Sequence, residues 1–329
     1  MIASETASRS YAMLRTAMGP DIAAALADPQ VIEVMVNPDG GLRLDHLETG
    51  RRETGVIIDY ARTERIIRLV ASHARMEVHG SSPIVSAELP ALGEDIAGER
   101  FEGLLPPVSP GPCFSIRKPA RRIHTLSDYV ADGIMSEGVA QLLSRSVAER
   151  RNILIAGGTS SGKTTLANAL LAELARSDER VILIEDTREL QCAARDMVAL
   201  RTRPGVASMS DLVRSTLRLR PDRIIVGEVR GGEALDMLKA WNTGHPGGIA
   251  TVHANSARSS LYRIEQLVQE AVVNVPRRLI ADALDLIVFI AGRGTARQIA
   301  GVELVEGLDA AGDYLLCPVT PASPNPEGE

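Results

Sequence analysis

Asn152-Ile153-Leu154-Ile155-Ala156-Gly157-Gly158-Thr159-Ser160-Ser161-Gly162-Lys163-Thr164-Thr165 is the stretch that decides the fold. An apolar run short enough to be a buried strand leads into a glycine-rich turn, and Leu166, Leu170 and Leu171 follow at helical spacing. The frame Gly157-x-x-x-x-Gly162-Lys163-Thr164 has the chemistry of a phosphate cradle, or P-loop. Glycines let successive backbone N–H groups curl round phosphate oxygens, Lys163 reaches the β- and γ-phosphates, and the Thr164 hydroxyl can ligate Mg²⁺. The flanking strand and helix separate this pattern from a chance glycine-rich turn. A nucleoside triphosphate with Mg²⁺ is therefore expected over 157–165, with Gly158, Thr159, Ser160, Ser161 and Thr165 completing the loop and the first helical turn.

Downstream, strands and helices alternate. Apolar strands are expected at 181–184, 197–200, 223–226, 248–253, 286–290 and 298–304, with helical patterns at about 210–219, 232–241, 261–273 and 276–284. Such alternation predicts an α/β fold with a mostly parallel sheet and ligands at the carboxyl ends of its strands. Upstream the order is mixed. A helix within 1–26 carries Ile22, Ala23, Ala25 and Leu26 and meets the breaker Asp28-Pro29. A hairpin follows at 31–36 and 42–44 around Asn37-Pro38-Asp39-Gly40-Gly41, then a helix through Ile66, Ile67, Leu69 and Val70, and short strands at 84–89, 101–105 and 114–116. An α+β domain with a mainly antiparallel sheet is predicted over 1–117. Prolines 106, 107, 110, 112 and 119 point to a linker at 118–134, Ser136 caps a helix through Val139, Leu142 and Leu143, the phosphate-loop domain occupies 135–320, and 321–329 reads as a disordered tail.

Composition sets bounds. At 329 residues, 45% hydrophobic and 24% charged, the chain is long enough for two globular domains. A net charge of −6 and a pI of about 5.7 argue against a body that grips a nucleic acid backbone, so direct nucleic acid binding is not expected. The longest apolar run, 284–291, is interrupted by Asp285 and is far too short to span a bilayer. The first residues, with Glu5 and Arg9, lack the apolar core of a secretory signal. Cys113, Cys192 and Cys317 form no metal-ligand spacing and read as incidental thiols. A cytoplasmic protein is expected, with room for peripheral attachment to the inner membrane through a partner.

Carboxylates narrow the chemistry. The second apolar strand ends in Glu185-Asp186, and Ile224-Ile225-Val226 ends in Gly227-Glu228, positions where a parallel sheet delivers side chains to a bound triphosphate. One acid is needed to hold Mg²⁺ through its water shell and one to orient or deprotonate the attacking water. In Thr243-Gly244-His245-Pro246-Gly247-Gly248-Ile249-Ala250-Thr251-Val252-His253-Ala254-Asn255, His253 falls at the carboxyl end of a strand, where it could contact the γ-phosphate.

Taken in order, 157–164, the acidic segment Ile184 to Leu190, the segment Leu219 to Arg230 and the histidine segment Thr243 to Asn255 resemble the four boxes of the secretion ATPase superfamily, whose members drive type II and type IV secretion and pilus assembly or retraction. The N-terminal domain ending Phe114-Ser115-Ile116-Arg117-Lys118-Pro119 is similar to the type IV secretion and conjugation branch, in particular the TrbB-type conjugal transfer ATPases. The four-cysteine zinc module of type II relatives and the Ala-Ile-Arg-Asn-Leu motif of retraction motors are not found in the sequence. The resemblance implies a RecA-like ATPase domain in a homohexameric ring that works with inner-membrane and cytoplasmic components of a secretion or conjugation apparatus. It implies Lys163 and Thr164 on phosphate and Mg²⁺, Glu185 as general base, Glu228 supporting Mg²⁺ and water, His253 sensing the γ-phosphate, and Arg230 in the same shell. Nucleotide bound between domains at subunit boundaries implies an N-terminal arginine on phosphate, Arg117 first and Arg100 second, where such a cation contributes about 10³-fold or more to turnover. Arg121-Arg122 and Arg277-Arg278 read as solvated faces. Two other classes stay open on the residues: a nucleotide-gated assembly scaffold with little turnover, and a nucleic acid motor on a similar core.

Overall fold

Helix α1 (Ile2–Ala27) opens the chain and breaks where its sequence demands, at Gly19 (φ 63) and Pro20, a residue with no N–H for the helical ladder. Arg62 takes the carbonyls so released, donating from Nε to Ala17 O at 2.9 Å and from Nη2 to Met18 O at 2.7 Å. The computed structural model describes residues 2–89, 98–119, 123–203 and 205–319, so the tail expected at 321–329 lies outside the described residues. The chain divides into two units, Met1–Arg121 and Arg122–Glu329.

In the first unit β1 (Val31–Val36), β2 (Gly41–His46), β3 (Gly50–Ile57), β4 (Ile84–Glu88), β5 (Arg100–Leu104) and β6 (Cys113–Arg117) form a six-stranded sheet in the order β3-β2-β1-β6-β5-β4. Every neighbouring pair is antiparallel, as the mixed element order predicts. Helix α2 (Tyr60–His73), capped by Asp59 on the Arg62 N–H, lays Ile66, Ile67 and Val70 into a core shared with Val34, Phe101 and Ile116. Strand β3 has no apolar face; it is made by pairing with β2 and by the Thr54 hydroxyl donating to Leu42 O at 2.8 Å.

The second unit starts with α3 (Leu126–Ala131), inside the stretch read as a linker. Thr125 and Asp128 form a capping box there, and Leu126 and Tyr129 are buried. Helix α4 (Glu137–Ala148), capped by Ser136, leads into β7 (Ile153–Gly157) and α5 (Lys163–Ala172). There follow β8 (Arg180–Glu185), β9 (Asp196–Arg201), α6 (Met209–Thr216), β10 (Arg223–Val226), α7 (Glu233–Asn242), β11 (Ile249–His253), α8 (Ala257–Gln269), α9 (Arg277–Ala283), β12 (Leu286–Ala291), β13 (Gln298–Leu308) and β14 (Tyr314–Pro318). The eight-stranded sheet runs β14-β13-β12-β7-β11-β10-β8-β9. Its six strands from β12 to β9 are parallel, and β13 and β14 are antiparallel additions at one edge.

Burial on both faces explains why the central strands are continuous apolar runs. In β7, Ile153 and Ile155 join the cluster around Leu166 and Leu170 of α5, while Leu154 and Ala156 join the cluster around α7 and α8. Polar residues at the strand starts have definite partners. Asn152 donates from Nδ2 to Ala283 O (2.9 Å) and accepts from Gly248 N–H (2.8 Å), and Asp285 accepts the Asn152 N–H (2.7 Å). Gly248 is required for another reason: a Cβ there would lie 2.0 Å from the ring of Trp241, whose Nε1 donates to Ile224 O. Among the described residues no helix is long and apolar enough to cross a membrane.

Candidate nucleotide site

The carboxyl ends of β7, β11, β10 and β8, neighbours in that order, carry the residues singled out from the sequence. Gly157 of β7 pairs with His253 of β11, and Val226 of β10 pairs with Ile184 of β8. From β7 the chain turns through an exposed crest, Gly158, Thr159 and Ser160, and back to a buried Ser161. Gly162, at φ 99, caps α5 without a side chain, which leaves the N–H groups of the first helical turn directed out of the helix end.

Lys163 is 7% exposed. Its ammonium donates to Gly157 O at 3.1 Å and Gly158 O at 2.9 Å, and it lies 3.2 Å from His253 Nδ1. The other ring nitrogen, Nε2, is 2.8 Å from Glu228 Oε1, and Glu228 Oε2 accepts from Arg230 Nη2 at 2.6 Å. Burial and the Lys163 charge push His253 below the ordinary imidazole range, so the ring is neutral at pH 7, with Nδ1 accepting from Lys163 and the proton on Nε2 facing Glu228. Burial would raise Glu228, but the Arg230 hydrogen bond and charge, helped by His253 and Lys163, outweigh it and hold the carboxyl below its usual range. Arg230 also lies 3.5 Å from Asp186, which accepts from the Thr202 hydroxyl.

Glu185 stands in a different environment. It is 5% exposed, and burial pushes its carboxyl up to about 7 even though Oε1 accepts the N–H groups of Glu189 (2.9 Å) and Leu190 (2.7 Å). Gly227, the residue before Glu228, has a steric reason to be glycine. A Cβ at Gly227 would approach Glu185 Cγ to 3.0 Å. Gly227 N–H donates to Ile184 O and its carbonyl accepts from Thr251, so the turn that presents Glu228 is stitched to both neighbouring strands.

Sequence reasoning did not single out Glu189. The segment after β8 folds back on α5 because Asn168, 3% exposed, donates to Glu189 O and accepts from Gln191 N–H. That fold brings the Glu189 carboxylate to the Thr164 hydroxyl, which donates to it at 3.2 Å. The clue available in sequence was an acid three positions beyond Asp186, read there only as part of a box. Thr164 and Glu189 bring a hydroxyl and a carboxylate together, hard oxygen donors of the kind that suit Mg²⁺, a cation that keeps several waters and takes one or two carboxylates. His245, the first histidine of its segment, sits apart from these groups, with Nδ1 on Pro221 O at 2.9 Å. Arg100 and Arg117 belong to the first unit, directly opposite each other on β5 and β6, in a rung continued by Glu88 on β4 and Glu33 on β1.

A family model described as type II/IV secretion system protein matches residues 53–293. The chain is 47% identical over 296 residues to the conjugal transfer protein TrbB of Rhizobium radiobacter, covering 89% of this chain and 90% of that protein. It is 48% identical over 295 residues to a probable conjugal transfer protein TrbB of Sinorhizobium fredii, covering 89% of each. Among solved structures, the pilus retraction motor PilT with bound ADP superposes over 92% of this chain and 83% of that one, with a TM-score of 0.61 at 18% identity. At that identity the likeness is one of fold, an α/β RecA-like core preceded by a smaller α+β unit.

Proposed function

Because this chain belongs to the type II/IV secretion system protein family, we propose that it hydrolyses ATP, with Mg²⁺, as the motor of a conjugal transfer or type IV secretion apparatus. One observation carries the reading: the run of close approaches from Lys163 to His253, Glu228 and Arg230 at the mouth of the phosphate loop, with a second carboxyl, Glu185, raised to about 7 beside it.

The residues divide the work by environment. Backbone N–H groups from Gly158 to Thr165 receive the phosphates, and Lys163 exchanges its contact with His253 for a phosphate oxygen. Glu185 is the better general base, because a carboxyl titrating near the working pH both accepts and releases a proton readily. Its Oε1 is tied to two N–H groups, which leaves Oε2 to take the proton of the attacking water. Glu228, kept ionised by Arg230, is the better electrostatic anchor. Thr164, Glu189 and Glu228 would hold Mg²⁺, which supplies charge neutralisation on the phosphates. His253, released by Lys163, loses the cation from which its Nδ1 accepts, so the contacts of the ring respond to whether the terminal phosphate is present.

The motor reading extends to assembly. The proposed assembly is a homohexameric ring, with Arg117 or Arg100 of one subunit serving the nucleotide of the next, as the resemblance to the secretion ATPases implies. Partners are the inner-membrane and cytoplasmic components of such an apparatus, and the chain is assigned to the cytoplasmic face of the inner membrane. Light scattering with and without a non-hydrolysable ATP analogue tests the ring: nucleotide-dependent growth to a hexamer is expected, and a monomer under both conditions would remove the basis for arginines acting between subunits.

A further inference from the structure

The turn between β12 and β13 brings a guanidinium onto the phosphate loop. Strand β12 pairs with β7 so that Ile290 stands beside Gly157, and the chain then doubles back, with Ala291 opposite Gln298. Gly292 (φ 75) permits the reversal, since a Cβ there would lie 2.0 Å from Ala296 O. Arg297 N–H bonds Gly294 O at 3.3 Å, and Ile299 N–H, two residues on, bonds Ile134 O at 2.8 Å. Arg297 therefore leaves a backbone fixed on both sides, unlike an arginine on a free surface arm.

Its side chain lies over Gly162. A Cβ at Gly162 would meet Arg297 Nε at 2.8 Å, Cζ at 2.9 Å and Cδ at 3.2 Å. Gly162 is the N-cap of α5 and brings no side chain to its first turn, where the helix dipole and free N–H groups make a positive end. A cation is disfavoured in that place unless an anion joins it. Among the described residues no carboxylate pairs with Arg297, and its buried Nε has no hydrogen-bond acceptor. The neighbouring phenol does not supply the charge: burial pushes Tyr129 up to about 12 despite Arg297, so it stays neutral, and its hydroxyl is itself buried without a partner. Ser161, 3% exposed, adds a third unpartnered polar atom, Oγ, which lies within the loop 2.6 Å from where a Cβ of Gly157 would stand. With Lys163 alongside, the loop gathers two cations, a helix end without a side-chain cap and an idle hydroxyl.

We propose that Arg297 is a phosphate-binding residue of this site, delivered from the β12–β13 turn of the same unit to the polyphosphate chain of the nucleotide. It rests on the reading of 157–165 as a nucleotide site and adds to that site a cation that the phosphate-loop motif does not contain. A polyphosphate over Gly162 supplies the acceptor that Arg297 Nε lacks and offsets the repulsion between the guanidinium, Lys163 and the α5 terminus.

The test uses the full chain and measures affinity for ADP and for inorganic tripolyphosphate, together with the melting temperature without ligand, in wild type, Arg297→Gln, Arg297→Lys and Lys163→Ala. Arg297→Gln is expected to weaken both ligands about 10-fold or more, the scale of a lost charge-assisted hydrogen bond, while its ligand-free melting temperature stays level or rises. Arg297→Lys, which keeps the charge and the apolar stem, is expected to bind tripolyphosphate more tightly than Arg297→Gln. Wild-type affinity in Arg297→Gln, a loss confined to ADP, or equal tripolyphosphate binding by the Gln and Lys variants would each overturn the proposal. Equal ADP binding by wild type and Lys163→Ala would instead overturn the nucleotide-site reading beneath it.

Discussion

Lys163 Nζ, from the first residue of α5, and His253 Nδ1, from the last residue of β11, are 3.2 Å apart. The contact joins the phosphate-loop lysine to the imidazole whose far nitrogen lies 2.8 Å from Glu228. A phosphate that draws Lys163 away changes what His253 accepts, and through the ring what Glu228 receives. On the proposed reading, occupancy of the loop would be coupled through this ring to the carboxylate that follows β10.

Replacing His253 with Phe keeps the ring and removes both nitrogens. ATP affinity is expected to stay within a few-fold of wild type, because Lys163 and the loop amides remain, while kcat falls about 100-fold, the scale of one lost polar contact in a transition state. Steady-state kinetics separate the two parameters. A rise in KM with kcat unchanged would make His253 a binding group.

Glu185 sets the pH behaviour. A general base must be ionised, so kcat/KM for the free enzyme is expected to climb through a pKa of about 7 and to fall tenfold per pH unit well below it. Stability runs the other way. The folded-state pKa lies above the ordinary 4.5, so the stabilisation from this group is fully present below 4.5 and is lost as pH rises through about 7. Glu185→Gln, a mimic of the protonated acid, is expected to raise the melting temperature relative to wild type more at pH 8 than at pH 5, by the equivalent of about 2.5 kcal/mol. Thermal melts at the two pH values check this.

Glu189 meets the Thr164 hydroxyl, so its removal is expected to act on the metal rather than on the nucleotide. Glu189→Ala should raise the Mg²⁺ concentration for half-maximal hydrolysis about 10-fold, as loss of a group that orients a ligand does. Titration of activity with Mg²⁺ at saturating ATP measures it.

The parts of the site that lie within one continuous segment were legible in the sequence. The loop from Gly157 to Thr164 and the acids that end two apolar strands follow local rules, and a parallel sheet places such ends together. Contacts made by folding distant segments onto one another were not legible. Glu189 reaches Thr164 only because Asn168 turns the segment after β8 back on α5, and Arg297 reaches Gly162 only through a hairpin 135 positions further along the chain. Strand β3 was missed because Gly50-Arg51-Arg52-Glu53-Thr54 has no apolar alternation and owes its state to its neighbour. Helix α3 was hidden by nearby prolines, although its capping box, Thr125 with Asp128, stands in the sequence.

Gly248 shows how the fold holds the site from below. Its missing side chain makes room for Trp241, packed beneath β11, the strand that ends at His253. Gly248→Ala is expected to displace the indole, break its bond to Ile224 O and destabilise the protein by about 1–3 kcal/mol. Denaturant unfolding, with far-UV circular dichroism as the probe, gives the value.

The division of labour between the two carboxyls is tested most directly by single-turnover phosphate release from ATP in wild type and Glu185→Gln, beside ATP binding by the same proteins. If Glu185 is the base, the variant binds ATP as tightly as wild type and releases phosphate at least about 10²-fold more slowly, the smaller end of the contribution expected from a positioned base. Phosphate release at the wild-type rate by Glu185→Gln would contradict it.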